Sequence, residues 1–155
     1  QKPDAVVITN RRYDDFAGGQ SAAQRGYDAV FKQLTGRLNG AKIIALGDSP
    51  EVPDGENMAD CVAAAGDDTS TCDFPRPGAA EEKSNKPLRA AAAEAAGDGV
   101  DYADTLDAFC TESTCPAVIG SRAVYRDSNH ITVEYSKTLG SYITRDIVPL
   151  ITPAE

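Results

Sequence analysis

The chain is poor in the residues that would make it a metal, membrane or nucleic-acid protein. It has one histidine and four cysteines with no Cys-x-x-Cys pair, a thin set of ligands for a tetrahedral zinc site. Its longest apolar stretches, 43–46 and the alanine-rich 90–96, fall far short of the ~20 residues that cross a bilayer. Basic residues are in the minority, 15 against 24 acidic for a net charge of −9. A field of that sign repels phosphate backbones and anionic headgroups, so nucleic acid is not an expected partner. The opening Gln1-Lys2-Pro3-Asp4 lacks the charged segment and long apolar segment of a secretory signal. The chain is therefore expected to be cytoplasmic, a processed mature form, or a piece of something larger.

What remains is an ordinary globular composition, 41% hydrophobic and 25% charged over 155 residues. That length matches one domain, expected over 1–155, with a core of its own. The cysteines separate the compartments. Cys61 and Cys72 enclose ten residues, Cys110 and Cys115 four, and all lie in polar, turn-rich sequence. Four cysteines allow three connectivities; pairing sequence neighbours closes the smallest loops at the lowest entropic cost. Two such disulfides imply an oxidising, extracytoplasmic compartment. No metal and no cofactor is expected.

Along the chain, Ala5–Thr9 reads AVVIT and predicts a strand buried on both faces. From Ser21, apolar residues recur at Ala23, Tyr27, Val30, Phe31, Leu34 and Leu38, a helical stripe that Asn39 and Gly40 end. Lys42–Leu46 is a second buried strand, which completes a βαβ unit with parallel pairing. Residues 48–83 predict a long loop with one turn of helix near Met58–Ala65, and loops of that length are often functional or stapled. A helix follows from Ser84 to a Gly97 stop, then a short strand at Val100–Ala103 and an extended segment at 122–125. A last helix begins near Thr132, carries Tyr135, Leu139, Tyr142, Ile143 and Ile147 on one face, and is broken by Pro149. The alternation predicts a three-layer α/β domain with a mostly parallel sheet.

Ligands of such folds bind at the carboxyl ends of strands. Three places qualify: Asn10 with Arg11 and Arg12, Gly47-Asp48-Ser49, and 125–130. In the last, Asp127 precedes His130 by three residues, just ahead of a helix. A carboxylate so placed can accept from one imidazole nitrogen and leave the other as a base for a serine hydroxyl. The plain alternative is a surface histidine in a polar turn.

The run Tyr125-Arg126-Asp127-Ser128-Asn129-His130-Ile131-Thr132, with Tyr135 three residues on, resembles the final block of SGNH hydrolases. The nearest variant is that of the extracytoplasmic SGNH domains joined to membrane acyltransferases of the acyltransferase-three type, especially actinobacterial ones. Lys2-Pro3-Asp4, Asp48-Ser49-Pro50, Cys61, Cys72-Asp73-Phe74-Pro75-Arg76, Phe109-Cys110 and Cys115-Pro116 extend the resemblance over nearly the whole chain. It implies a flavodoxin-like α/β fold that moves an acyl group to or from an oxygen, with His130 as general base and Asp127 orienting it. The family's nucleophile lies in a Gly-Asp-Ser block after its first strand, and Ala5–Thr9 looks like the third. The resemblance therefore implies an N-terminally truncated domain, with the nucleophile upstream.

Ser49 matches the Gly-Asp-Ser letters, but the family has an Asp-Thr-Pro-like turn there, so the alternatives are a substitute nucleophile and a Ser-Pro turn. Asn10 sits where the family's third block supplies an oxyanion or substrate donor. Arg11 or Arg12 is the substitute, and a solvated loop the plain reading. Asp14 and Asp15 read as surface charge at a helix start. The implied partners are an acyl donor, a cell-envelope glycan or glycolipid acceptor, and a membrane acyltransferase domain of the same polypeptide that tethers it. The competing expectation is a non-catalytic carbohydrate-binding or docking module.

Overall fold

In the computed structural model, which describes residues 3–10, 16–78 and 85–152, the elements follow in the order β1 (Ala5–Thr9), α1 (Gly19–Leu38), β2 (Lys42–Leu46), α2 (Met58–Ala65), β3 (Phe74–Pro75), α3 (Asn85–Glu94), β4 (Val100–Ala103), β5 (Thr114–Cys115), β6 (Val118–Ile119), β7 (Arg122–Ala123), α4 (Val133–Ser136), α5 (Gly140–Tyr142) and α6 (Val148–Ile151). They form two compact units. One comprises Gln1–Asp48, Ala79–Asp104 and Ile143–Glu155, the other Ser49–Gly78 and Thr105–Tyr142.

The first unit holds a parallel sheet in the order β1-β2-β4, with Val7 opposite Ile44 and Ile44 opposite Asp101. Ile43, Ile44 and Ala45 of the central strand are wholly buried. Side chains alternate across a strand, and Ile43 and Ala45 meet Phe31 of α1 with Leu88, Ala91 and Ala92 of α3. The small alanines let α1 and α3 lie close, and Gln24 donates to Glu94 at 2.7 Å between them. Ile44 faces the other way, and α6 packs on β2. This is the α/β layering expected. Asn39 (φ 46°) and Gly40 (φ 88°) end α1 in the left-handed conformation, as their sequence predicts.

Several details differ from the sequence reading. β1 is not buried on both faces: it has a strand partner on one side among the described residues, and Val7 is 50% exposed. Gly99 (φ 85°), rather than Gly97, turns the chain into β4. The expected N-cap Ser84 lies outside the described residues. The last helix is not one regular element but a succession of short turns, including a π-helical turn at Ile143–Ile147. Changing the number of residues per turn breaks the 3.6-residue stripe, so Ile143 is 47% exposed while Tyr135 and Ile147 are buried. Pro149 does not break the helix; it sits in the first turn of α6, where its missing N–H has no helical partner to lose.

The second unit is organised around Val52, Met58, Cys72, Phe74, Phe109, Cys115, Val124, Tyr125 and Tyr135. Residues expected as a loose loop are built into it. Asn57 caps α2 by accepting from the N–H groups of Ala59 and Asp60. Disulfides join Cys61 to Cys72 and Cys110 to Cys115. β3 pairs antiparallel with β5, placing Phe74 opposite Cys115. Arg76 completes the seam: its N–H donates to Ser113 O at 2.9 Å, Nη1 to Thr111 O at 2.9 Å and Nη2 to Asp107 at 2.7 Å. β6 and β7 form a hairpin through Gly120 (φ 55°) and Ser121 (φ 63°), both with the positive φ that a two-residue turn of this kind demands.

Candidate active site

Beyond β7 the chain closes a small loop. Tyr125 bridges Ile131, and Arg126 N–H donates to His130 O at 2.9 Å, so residues 126–130 form a tight, hydrogen-bonded turn. Thr132 fastens its far end. Its N–H donates to Val124 O at 2.8 Å, its hydroxyl donates to Ala123 O at 2.6 Å, and the same oxygen accepts Tyr135 N–H at 3.0 Å to cap α4.

Asp127 organises the turn from within. Oδ1 accepts the N–H groups of Asn129 at 2.9 Å and His130 at 2.7 Å, the local bonding that a short carboxylate favours in turns. His130 Nδ1 stands 2.9 Å from Oδ2 and 3.1 Å from Oδ1. The two backbone N–H groups, and after them the imidazole, hold the Asp127 carboxyl well below the ordinary carboxylate range. An ionised Asp127 selects the tautomer with hydrogen on Nδ1 and leaves Nε2 to take a proton. The His130 side chain is 54% exposed and that of Asp127 37%, so the base is open to a substrate.

The other expected residues fall in different places. Ser49 is half-buried in the irregular segment after β2 and belongs to the same unit as Asp127 and His130, whose hydrogen bonds run to one another, to Asn129 and to Arg126. Asn10 belongs to the first unit, where its side-chain amide lies near the Tyr27 hydroxyl. Arg11, Arg12, Asp14 and Asp15 lie outside the described residues.

Three positioning contacts went unseen in the sequence. Asn85, 3% exposed, accepts Asp48 N–H at 2.8 Å and donates to Asp48 O at 3.2 Å, clamping the turn after β2. Asp73 accepts Ala117 N–H at 2.8 Å. Tyr125, 1% exposed, donates its hydroxyl to Pro50 O at 3.0 Å. An asparagine opening an alanine-rich helix was the one available signal for Asn85; the others depend on long-range pairing. At Gly47 an added Cβ would stand 2.5 Å from the Tyr102 hydroxyl, so a larger residue there would have to displace that side chain.

A family model described as "SGNH domain (fused to AT3 domains)" matches residues 1–145. The chain belongs to that family. The Asp127–His130 loop lies within the matched region. No curated protein matches the sequence. Among solved structures, the SGNH chain is similar to the periplasmic domain of a lipopolysaccharide acetyltransferase from Salmonella ser. Paratyphi A, with 18% identity and a TM-score of 0.61. The alignment covers 93% of this chain and 58% of that one, so the present chain spans rather more than half the neighbour's length. At this identity the likeness establishes the fold, and it agrees with the α/β layering of the first unit. No helix among the described residues is long and apolar enough to cross a membrane.

Proposed function

We propose that this SGNH domain is the extracytoplasmic acyl-transferring part of a serine O-acyltransferase or esterase that acts on a cell-envelope glycan or glycolipid. The carrying observation is the Asp127–His130 pair, locked in one loop by the carboxylate's bonds to backbone and ring. The two disulfides favour an oxidising compartment. Membership of a family described as fused to AT3 domains favours a membrane acyltransferase domain in the same polypeptide as tether and partner.

In this reading a serine hydroxyl, from a Gly-Asp-Ser block upstream of Gln1, attacks the carbonyl carbon of the acyl donor. His130 Nε2 takes the serine proton and delivers it to the departing group, leaving an acyl-serine. Asp127 stays ionised and stabilises the imidazolium formed at that moment. A sugar hydroxyl then attacks the acyl-serine, His130 takes its proton, and that proton returns to the serine oxygen as the ester departs. Water in place of the sugar gives hydrolysis.

The test is intact-mass analysis of the full-length natural protein after treatment with a serine-directed fluorophosphonate. One phosphonyl adduct is expected, on a serine upstream of Gln1, and His130→Ala should slow its formation by ~10² or more. A protein that takes no adduct and transfers no acyl group would refute the reading in favour of a docking or carbohydrate-binding role.

A further inference from the structure

Tyr125 ties the loop that holds Asp127 and His130 to the segment that carries Ser49 and Pro50. Its ring is buried against Phe74 and Phe109, with centroids 6.2 and 6.3 Å away. Its backbone bridges Ile131 and so closes the loop that holds Asp127 and His130. Its hydroxyl crosses to Pro50 O at 3.0 Å, in the turn that carries Ser49. A buried O–H to carbonyl bond is directional and costly to break, since the carbonyl is left without its partner. The disulfide cysteines Cys72 and Cys115 belong to the same buried cluster.

We propose that Tyr125 is a positioning residue: through its hydroxyl it holds the Ser49–Pro50 turn and the Asp127–His130 loop in one register, and so fixes the orientation of the imidazole. The effect on rate rests on the proposed acyl transfer; the effect on the imidazole does not. Tyr135 supplies a matched comparison, because its buried hydroxyl likewise donates to a backbone carbonyl, that of Ala108, in the same aromatic cluster but without reaching the turn at Pro50.

His130 is the only histidine, so its imidazole gives a single set of NMR signals in this chain. Tyr125→Phe is expected to shift or broaden the Nδ1–H and Cε1–H signals and, in an active full-length protein, to lower kcat about 10- to 100-fold with little change in KM. Tyr135→Phe is expected to lower Tm by a similar amount and leave those signals in place. Should Tyr125→Phe fail to fold, an ester in place of the Pro50–Glu51 amide, which weakens the Pro50 carbonyl as an acceptor, is expected to move the same signals. Unchanged signals in the folded Tyr125→Phe protein or in the Pro50–Glu51 ester, or an equal displacement in Tyr135→Phe, would overturn the proposal. If the signals move but even the unaltered protein transfers no acyl group, the positioning stands and the functional reading falls.

Discussion

Asp127 holds His130 twice, by the backbone N–H at 2.7 Å and by ring Nδ1 at 2.9 Å. One carboxylate thus sets both where the imidazole is rooted and how its ring turns. Asp127→Asn should separate the two effects. The amide oxygen can still accept the backbone N–H groups and keep the loop, but it cannot both accept from the ring and retain the charge that steadies an imidazolium. Acyl transfer should fall by about 10² to 10⁴, with the fold kept and Tm at neutral pH lowered by the loss of the charge. Steady-state kinetics together with the His130 NMR signals would check this. A variant that keeps full kcat would remove Asp127 from the mechanism.

The same contacts give an acid dependence of definite sign. The folded-state pKa of Asp127 is depressed below its unfolded value. The stability it contributes is therefore fully present above the unfolded carboxylate value of ~3.9 and is lost as pH falls through the lower folded value. Between neutral pH and about 4 this contribution should not change. Below that, the unaltered chain should lose stability more steeply than Asp127→Asn, which has no carboxyl to protonate. Urea midpoints measured from pH 7 down to 2 for both proteins would show it; parallel curves would count against the assignment.

Legibility divided along the range of the interactions. The three strands of the parallel sheet, the stop at Asn39 and Gly40, α2 and the Asp127–His130 spacing could all be read because each rests on a few neighbouring residues. The seam between β3 and β5, the Arg76 bonds to residues near 110 and the Tyr125–Pro50 bond pair residues tens of positions apart, and no local pattern announces them. For that reason 48–83 looked like a loop. The final helix misled for another reason: its apolar spacing is nearly regular, but 3₁₀ and π turns shift its phase, so Ile143 turns outward. Val7 misled because β-branched sequence does not tell a central strand from an edge strand.

Removing the Cys61–Cys72 bond should destabilise the chain measurably. It closes a short loop that contains most of α2, and Cys72 lies in the core of the second unit. The chain-entropy account gives about 2–3 kcal/mol for a loop of this size. The paired substitution of Cys61 and Cys72 by Ser should show that loss in denaturant unfolding under oxidising conditions. Under strong reductant the gap between variant and parent should close, since the parent then lacks the same bond. Peptide mapping that found Cys72 linked to Cys110 would contradict the structure directly.

Ser49 is the sharpest test of where the nucleophile lies, because its Gly-Asp-Ser setting and its place in the family's strand order point in opposite directions. It follows β2, the second strand of the described sheet, in a turn closed by Pro50, whereas the family's nucleophile follows its first strand. Pro50 also lacks the backbone N–H that the residue after a nucleophile offers to an oxyanion. A general base acts only on a proton within about 2.6–3.2 Å, somewhat farther before substrate binds. If the nucleophile lies upstream, Ser49→Ala in the full-length protein should keep acyl transfer within a few fold, and His130→Ala should lose ~10² or more. Fluorophosphonate labelling should remain on the upstream serine in the Ser49 variant. A loss in Ser49→Ala as deep as that in His130→Ala, with the adduct gone, would make Ser49 the nucleophile and this chain an enzyme with its own rearranged triad.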